Sequence, residues 1–493
     1  MTHVRWFVWV LTALVVAFAA GWATGAQDAV VPLGANASPS AGSAPAAGPD
    51  AAPREAMPTD LRLSEASAAK EPPADWYAPL KNIPLGSGKL DVDFQFRTRY
   101  EHTNDFTIRG YGRDEHDELM LVRTQLGFDY TFGKEAHAYV MFQDSRHYLS
   151  DMSREDFPLT CTFFDQADVR KAYVEVKHIG GSPFGFKVGR QALDYGDRRF
   201  LGPANWGNVG GFWWDAAKVY IDTEPVQVDL FFGQRVIREQ IRWDNRHFDF
   251  DAIGTYAQFK KLPCKFDLFY LLRYDDHGNA RGERTTGDIR RHTVGARVDG
   301  KFLTRWDYGG TLAAQFGTQG GDDVEAYGAH ARLGYTWTDR PWTPRLGGEF
   351  AYASGDRNPR DGKNQTFDNL YTCPTSYYGR MNFLSWQNMM DFQATFSVKP
   401  TKKLKLWVDY HYFRLASDTD SWYWFNFTRR ARDAGGDSGH ELGQEIDLLA
   451  KWTVSKNLDL FAGYAFFLPG TFVENTLGYD NANWGFFQLV YKF

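Results

Sequence analysis

The amino-acid sequence predicts an all-β fold: a transmembrane antiparallel β-barrel of about 18 strands, preceded by a signal peptide and a disordered linker. Three observations predict it. Apolar and charged residues alternate along many short runs, and the connections between runs are alternately short and long. No run after the N-terminus has the ~18 apolar residues that a membrane helix needs. A high aromatic content of 16% adds to the same expectation.

The N-terminal segment is predicted to be a cleaved secretory signal. Arg5 supplies a basic start, an apolar run follows over residues 6–20, and small residues come next. An uncleaved anchor is the alternative, but the run is short for a membrane span. We therefore expect a signal peptide at residues 1–26. Residues 27–75 are rich in Ala, Pro, Ser and Gly, which predicts a disordered linker before a barrel at residues 76–493.

The first folded segment, LDVDFQFRTRYEH at residues 90–102, alternates clearly between two faces. Its apolar face would carry Val92, Phe94, Phe96 and Tyr100, and its charged face Asp91, Asp93, Arg97 and Arg99. In a soluble sandwich the apolar face would be the core. In a membrane barrel it would face lipid, and the charged face would line a water-filled lumen. This strand alone leaves both alternatives open.

Similar strand-like runs continue to the C-terminus. After the first they cover residues 118–132, 135–146, 167–178, 184–194, 215–222, 226–236, 250–260, 264–275, 289–299, 308–318, 324–337, 345–354, 387–398, 403–414, 441–453, 457–467 and 484–493. The total of about 18 is typical of porin-sized barrels.

The connections between these runs separate a barrel from a sandwich. Short turns alternate with long polar connections at residues 103–117, 147–166, 195–214, 237–249, 276–288, 355–386, 415–440 and 468–483. The short TQGGDD at residues 318–323 is the exception. Short turns on one side and long loops on the other are the outer-membrane pattern, with the short turns periplasmic. The charged face of the first strand is therefore expected to line the lumen.

The C-terminal residues NWGFFQLVYKF alternate as a strand and stop on Phe493. Such an ending resembles the signal that the bacterial barrel-assembly machinery reads, so we expect that machinery and outer-membrane lipid as partners. In a closed barrel this strand would pair with the first and leave no edge. The expected location is the outer membrane of a Gram-negative-type bacterium. A net charge of -6 gives no reason to expect nucleic acid as a partner.

The predicted lumen carries charges of both signs. The basic candidates are Arg97, Arg99, Arg123, Lys187, Arg235, Arg273, Arg297 and Arg332. The acidic candidates are Asp93, Asp129, Glu175, Asp229, Asp267, Asp391, Asp409, Glu445 and Asp447. The arginines could form a track for carboxylates, because guanidinium groups bind them bidentately. Cross-strand ion pairs that hold neighbouring strands in register are the alternative.

Disulfide and metal signals are weak. Cys161 and Cys373 both fall in predicted extracellular loops, where a disulfide could form, and Cys264 would be left over. One oxygen-rich loop supplies the weak calcium candidates Asp356 and Asp361, although a solvated polar loop is the simpler interpretation. No catalytic or phosphate-binding motif is present, so we expect neither an enzyme nor a cofactor.

Several stretches resemble the alginate export family of outer-membrane barrels. They are LKNIPLG (80–86), RTRYEHTND (97–105), VGRQALDYGDRRFLGPANWGN (188–208), WWDAAKVY (213–220), ASGDRNPRDGKNQTFDNLY (353–371) and LGQEIDLLAKW (442–452). The resemblance covers essentially all of residues 76–493 and implies an 18-stranded barrel that passes anionic polysaccharide or smaller solutes. It singles out Arg97, Arg99, Glu101, Arg190, Gln191, Asp197, Arg199, Asp215, Asp356, Asp361 and Glu445 as candidate functional residues.

The leading hypothesis is an outer-membrane channel for passive passage of anionic sugars or polysaccharide, as in alginate-type export. A general diffusion porin without substrate specificity is the first alternative. An outer-membrane enzyme would need a Ser–His pair near an interface, and His292 is a candidate without an evident partner. A secreted soluble β-protein would be extracted into buffer without detergent.

Overall fold

A computed structural model describes residues 75–107, 110–151, 163–372, 377–425, 428–478 and 480–493. The predicted signal peptide and nearly all of the predicted linker lie outside these residues, so both stay predictions. In the described part of the chain, no helix is long and apolar enough to cross a membrane.

Eighteen antiparallel strands form one closed sheet, as predicted. They are β1 (Gly88–Thr107), β2 (Gly110–Phe132), β3 (Ala136–Tyr148), β4 (Asp165–Val176), β5 (Phe184–Gln191), β6 (Trp214–Asp222), β7 (Val226–Ile237), β8 (Asn245–Phe259), β9 (Lys265–Arg281), β10 (Thr286–Phe302), β11 (Trp306–Gln319), β12 (Asp322–Thr336), β13 (Arg345–Ala353), β14 (Met389–Thr401), β15 (Leu404–Leu415), β16 (Glu441–Thr453), β17 (Leu458–Pro469) and β18 (Ala482–Lys492). Each strand pairs with its neighbours in the chain, and β18 pairs with β1.

The remaining elements are short and are not among the eighteen strands that close the barrel, although Ile83–Leu85 pairs with β1 and Lys363–Asn364 pairs with β12. They are the strands Ile83–Leu85, Lys363–Asn364, Ser421–Tyr423 and Arg429–Arg432, the α-helix Thr471–Thr476, and the 3-10 helices Ala78–Leu80 and Ile179–Gly181.

The two faces of the wall have the predicted chemistry. On β1 the charged side chains of Asp93, Arg97 and Arg99 are only 2%, 2% and 1% exposed, because they point into the barrel. On the outer face large apolar side chains are open to the surroundings, for example Leu312 at 68% and Phe487 at 51%. An apolar surface of this kind is stable against lipid in a membrane barrel, whereas contact with water would be unfavourable. The predicted orientation of the first strand is therefore confirmed.

The C-terminal residue closes the sheet. Phe94 N donates to Phe493 O at 3.2 Å, and Phe493 N donates to Phe94 O at 3.1 Å. The Phe493 ring stacks on Tyr77, with 4.9 Å between ring centroids. The last strand therefore leaves no open edge, as the sequence predicts.

The prediction of long loops is wrong at two places. Residues 103–117 are mostly strand, because β1 and β2 continue as a hairpin in which Thr103 lies opposite Asp117. Residues 276–288 are likewise largely the outer ends of β9 and β10. Beyond the membrane the outer face of a strand no longer needs apolar side chains, so the alternation disappears and the sequence looks like a loop.

The predicted short exception at TQGGDD is confirmed. Gly320 and Gly321 form the turn between β11 and β12, with φ of 61° and 95°. Positive φ at both positions is what a two-residue hairpin turn requires, and glycine adopts it without steric strain. A Cβ on Gly320 would also lie 2.1 Å from Gly282 N, so the neighbouring hairpin approaches too closely for any side chain there.

Candidate channel constriction

Two extracellular loops fold into the barrel. The β5–β6 loop covers residues 192–213, and the β13–β14 loop covers residues 354–388. Tyr371 N donates to Phe200 O at 2.9 Å, and Gly202 N donates to Tyr371 O at 3.1 Å, so the loops are joined by backbone hydrogen bonds. Both loops also contact inward-facing side chains of the wall, so together they narrow the lumen.

Arginines of β1 hold the β5–β6 loop from one side. Arg97 Nη1 donates to Asn205 O at 2.9 Å, and Arg99 Nη1 donates to Trp206 O at 2.8 Å. The Arg99 guanidinium also lies 3.9 Å from the centroid of the Trp206 ring, a cation–π contact. Arg99 Nε donates to Glu101 Oε1 at 2.6 Å. The structure thus brings three predicted residues together around one loop segment.

Side chains of β2 and β3 also contact the β5–β6 loop and the arginines that hold it. Arg123 lies opposite Arg97 in the β1–β2 register, and its Nη2 donates to Gln95 Oε1 at 2.7 Å. Gln143 Nε2 donates to Val209 O at 2.9 Å. Arg97 has no carboxylate within ion-pair distance among the described residues, since its hydrogen bonds go to oxygens of the loop. This side of the constriction is therefore basic.

Arg190 and Gln191 join β5 to β6. Arg190 donates through Nε and Nη2 to the two carboxylate oxygens of Asp215, at 2.9 and 3.2 Å. Gln191 Nε2 donates to Ala216 O at 3.0 Å. These contacts hold the two strands from which the β5–β6 loop leaves the wall, so these residues position the loop.

Arg199 is the buried centre of a second network. Its Nε lies 3.1 Å from Asp197 Oδ2, it pairs with Glu349 of β13, and its Nη1 donates to Tyr378 OH at 2.8 Å. Burial opposes ionisation of Asp197, but positive charges led by Arg199 outweigh it and hold the pKa of Asp197 below its usual value. The charged network connects both inward loops to the wall.

The β13–β14 loop is held by β9, β10 and β11. Arg273 forms an ion pair with Asp368, and Arg291 Nη1 donates to Thr366 O at 2.9 Å. Gln315 Oε1 accepts from Asp368 N at 2.9 Å. Burial disfavours the Asp368 carboxylate, but the charges of Arg273 and Arg291 outweigh burial and lower its pKa. The loop is therefore fixed by buried charged contacts.

Aromatic packing fills the space between the two loops. The Trp386 ring lies 5.1 Å from Phe367 and 5.5 Å from Phe200, measured between centroids. On β9, Phe269 and Leu271 face inward and join this buried cluster. Part of the high aromatic content therefore serves an apolar core inside the barrel, which the sequence pattern does not reveal.

The wall on β14–β16, which is separated from β1 by β17 and β18, is acidic. Asp391, Glu445 and Asp447 on β14 and β16 are buried, and His411 Nδ1 lies 2.9 Å from Asp391 Oδ2. Glu445 Oε1 accepts from Met381 N at 2.9 Å, so this wall also holds the β13–β14 loop. Counting charges along the sequence predicts a mixture, and β1–β2 has one, since Asp93 and Glu101 are buried there beside the arginines. The buried charges of β14–β16 are mainly acidic.

The remaining predicted arginines contact protein groups. Arg235 lies over the Phe212 ring, 4.7 Å from its centroid. Arg297 Nη1 lies 3.0 Å from Asp267 Oδ2, and Arg332 Nη1 lies 3.2 Å from Asp307 Oδ1. For Arg297 and Arg332 the geometry favours cross-strand ion pairs over a free track for solute carboxylates.

The family model for alginate export matches residues 89–486. The chain belongs to the alginate export family. No curated protein sequence matches it. The sequence motifs and the closed barrel therefore indicate the same family. This family member is an outer-membrane channel of a Gram-negative bacterium.

Solved outer-membrane proteins have a similar fold. OccAB4 of Acinetobacter baumannii has a TM-score of 0.56 at 9% identity, covering 83% of this chain and 99% of that chain. OccAB2 of the same organism has a TM-score of 0.56 at 12% identity, with 82% and 98% covered. OccK8 (OprE) of Pseudomonas aeruginosa has a TM-score of 0.54 at 10% identity, with 82% and 98% covered. At these identities the likeness shows the fold alone.

The weak calcium candidates of this family member accept hydrogen bonds from backbone groups of their own loop. Asp356 Oδ1 accepts from Asn358 N at 3.2 Å, and Asp361 Oδ1 accepts from Lys363 N at 3.0 Å. Neither belongs to a group of three potential metal ligands in the described part of the chain. Burial, and next the charge of Asp420, raises the pKa of Asp356 to about 6.

The cysteine prediction stays open. Cys161 and Cys373 lie outside the described residues, so their disulfide remains a prediction. Cys264 is a free thiol next to the start of β9, as expected for the cysteine left over.

Sequence reasoning missed two inward-facing arginines. In β4 the register shifts, with Met141 opposite Lys171, so that Arg170 is an extra residue and both basic side chains are buried inside. Strict alternation cannot place two neighbours on one face, and only a bulge allows it. Arg291 has the same parity as Arg297 in β10, so alternation could have identified it.

Proposed function

We propose that this channel passes anionic saccharides through its constriction without an energy source. The observation that supports this most is Arg97 of β1, which points inward and forms no ion pair with a described carboxylate, with Arg123 opposite it on β2. The buried carboxylates Asp93 and Glu101 of the same wall pair with Lys81 and Arg99. In a narrow, partly desolvated lumen such charges act strongly on a passing anion.

The hydrogen bonds of Arg97 suggest how a solute would be accepted. Its guanidinium donates to the backbone oxygens of Asn205 and Gly207 and to the Asn208 side chain. A sugar carboxylate is a stronger, charge-assisted acceptor for the same donors. We infer that an arriving carboxylate competes with the β5–β6 loop for Arg97, so that solute entry and loop release favour each other.

The acidic wall supports the second candidate, a general diffusion porin. Asp391, Glu445 and Asp447 face the same lumen as the arginines, and charges of both signs orient polar solutes without selecting anions. No catalytic role is proposed. His292 is the lipid-side histidine considered for an enzyme. It shares a hydrogen bond of 2.8 Å with Tyr270 OH and stacks on Phe316, and neither neighbour is a nucleophilic serine.

We also propose that the C-terminal strand, ending at Phe493, is the segment that the barrel-assembly machinery recognises. Its support is the alternation of β18 and the position of Phe493 at the closing seam.

Single-channel recording in a planar bilayer under a salt gradient tests the solute proposal. We expect an anion-favouring reversal potential and block by uronate oligomers. Arg97→Gln should weaken both, and Arg97→Lys should retain the selectivity because it retains the charge. The matched control is Arg305→Gln, because Arg305 lies at a periplasmic turn, away from the lumen, and pairs with Asp339. Open conductance without preference or block would leave a general porin.

A further inference from the structure

Three carboxylates meet at the extracellular end of β4. Asp165 and Asp168 lie in the first residues of that strand, and Asp244 directly precedes β8. Gln166 N donates to Gln240 O at 3.0 Å, which docks the β7–β8 loop against β4. The strands between them, β5 and β6, have only 8 and 9 residues, so the loop bridges a low part of the barrel rim.

These carboxylates are close together and shielded from water. One oxygen of each lies within 4.8 Å of the other two, and all three side chains are buried. Asp168 accepts hydrogen bonds from the backbone N of Val169 and of Asp244, and Asp244 Oδ1 accepts from Glu239 N at 2.7 Å. The hydrogen bonds position the oxygens. The positive charges of Arg170 and Arg238 act on these carboxylates from a distance, without forming an ion pair with them.

Asp165 provides the observation that points to a ligand. Its side chain is 2% exposed, and its Oδ1 has no hydrogen-bond partner although water does not reach it. No lysine or arginine among the described residues forms an ion pair with any of the three carboxylates. Arg170 instead stacks 4.3 Å from the centroid of the Trp213 ring, and its Nε and Nη2 have no partner either. A buried carboxylate without a donor is costly unless it takes up a proton or a cation binds it.

We propose that Asp165, Asp168 and Asp244 bind one divalent cation, with Ca²⁺ as the best chemical match. Ca²⁺ prefers carboxylate oxygens and tolerates the irregular geometry of a site built from a strand and a loop. The ion joins the β7–β8 loop to the end of β4. Its role is to stabilise the extracellular rim, independently of which solute the lumen passes.

Calcium titration of the full chain tests the proposal. The protein is purified in detergent, treated with chelator, and titrated with CaCl₂ by calorimetry, and its unfolding temperature is recorded with and without Ca²⁺. We expect one site per chain and a higher unfolding temperature with Ca²⁺. Asp165→Asn should weaken the affinity at least tenfold, because it removes a charged ligand. The control Asp339→Asn, at an exposed periplasmic turn, should leave it unchanged.

Folding of each variant is checked by its heat-dependent migration on a gel, and Asp244→Asn serves as the second variant if Asp165→Asn does not fold. Absence of calcium binding by the wild-type chain would overturn the proposal. Equal affinity of the wild-type chain and a folded variant would also overturn it.

Discussion

Replacing Glu349 by Gln should release the inward loops. The change removes one partner of a buried pair and leaves the Arg199 charge with Asp197 alone. Breaking one side of a buried ion pair costs about 3–5 kcal/mol. At ~1.4 kcal/mol per factor of ten, the balance between seated and released loops shifts by roughly 10²–10⁴-fold. Because Arg199 also donates to Tyr378, both loops should loosen together.

Single-channel recording measures this release directly. Glu349→Gln should visit higher-conductance states far more often than the wild-type channel, while its barrel remains folded by heat-dependent gel migration. The double variant Arg199→Met with Glu349→Leu should restore part of the closed behaviour, because it removes the unmatched pair and retains volume, while Asp197 keeps Arg297 as a partner at 3.9 Å. A folded Glu349→Gln channel with wild-type conductance states would refute the assignment of this pair as a loop anchor.

Three further predictions follow from pKa, the closing seam and the lipid face. Because burial and Asp420 raise the pKa of Asp356 from 3.8 to about 6, the seated loop binds the proton more tightly than the released loop. Loop seating should therefore strengthen as pH falls through 6, conductance should fall, and Asp356→Asn should remove this pH dependence. Phe493→Ala should lower the yield of folded barrel in outer membranes, measured by heat-dependent migration, because the ring packs at the seam. Leu312→Arg should cost about 2–4 kcal/mol in urea unfolding from vesicles, whereas Leu303→Arg at a periplasmic turn should cost about 0–1 kcal/mol.

The barrel is predictable from sequence because the membrane imposes a simple rule. Each crossing strand needs one apolar face, and the parity of Phe94 against Arg97 is visible without any structure. The rule ends where the strands leave the membrane. The outer face of the hairpin around Thr103 and Asp117 no longer contacts lipid and needs no apolar side chains, so its pattern resembles a polar loop.

The constriction is less predictable because it depends on where loops fold. That Arg97 points inward follows from parity, but that it donates to Asn205 depends on a loop whose path no periodicity encodes. The bulge that turns Arg170 inward breaks the same parity. The cluster of carboxylates that includes Asp165 and Asp244 consists of residues far apart in sequence, and only the fold brings them together.

Transport into proteoliposomes tests the central claim most directly. Purified channel is reconstituted, and entry of a monosaccharide uronate is compared with entry of the neutral sugar of the same size, without an energy source. Passive passage through a basic constriction predicts faster entry of the uronate, with the difference shrinking at high salt. Equal rates for both sugars would contradict anion preference, and entry of neither would contradict a passive saccharide channel.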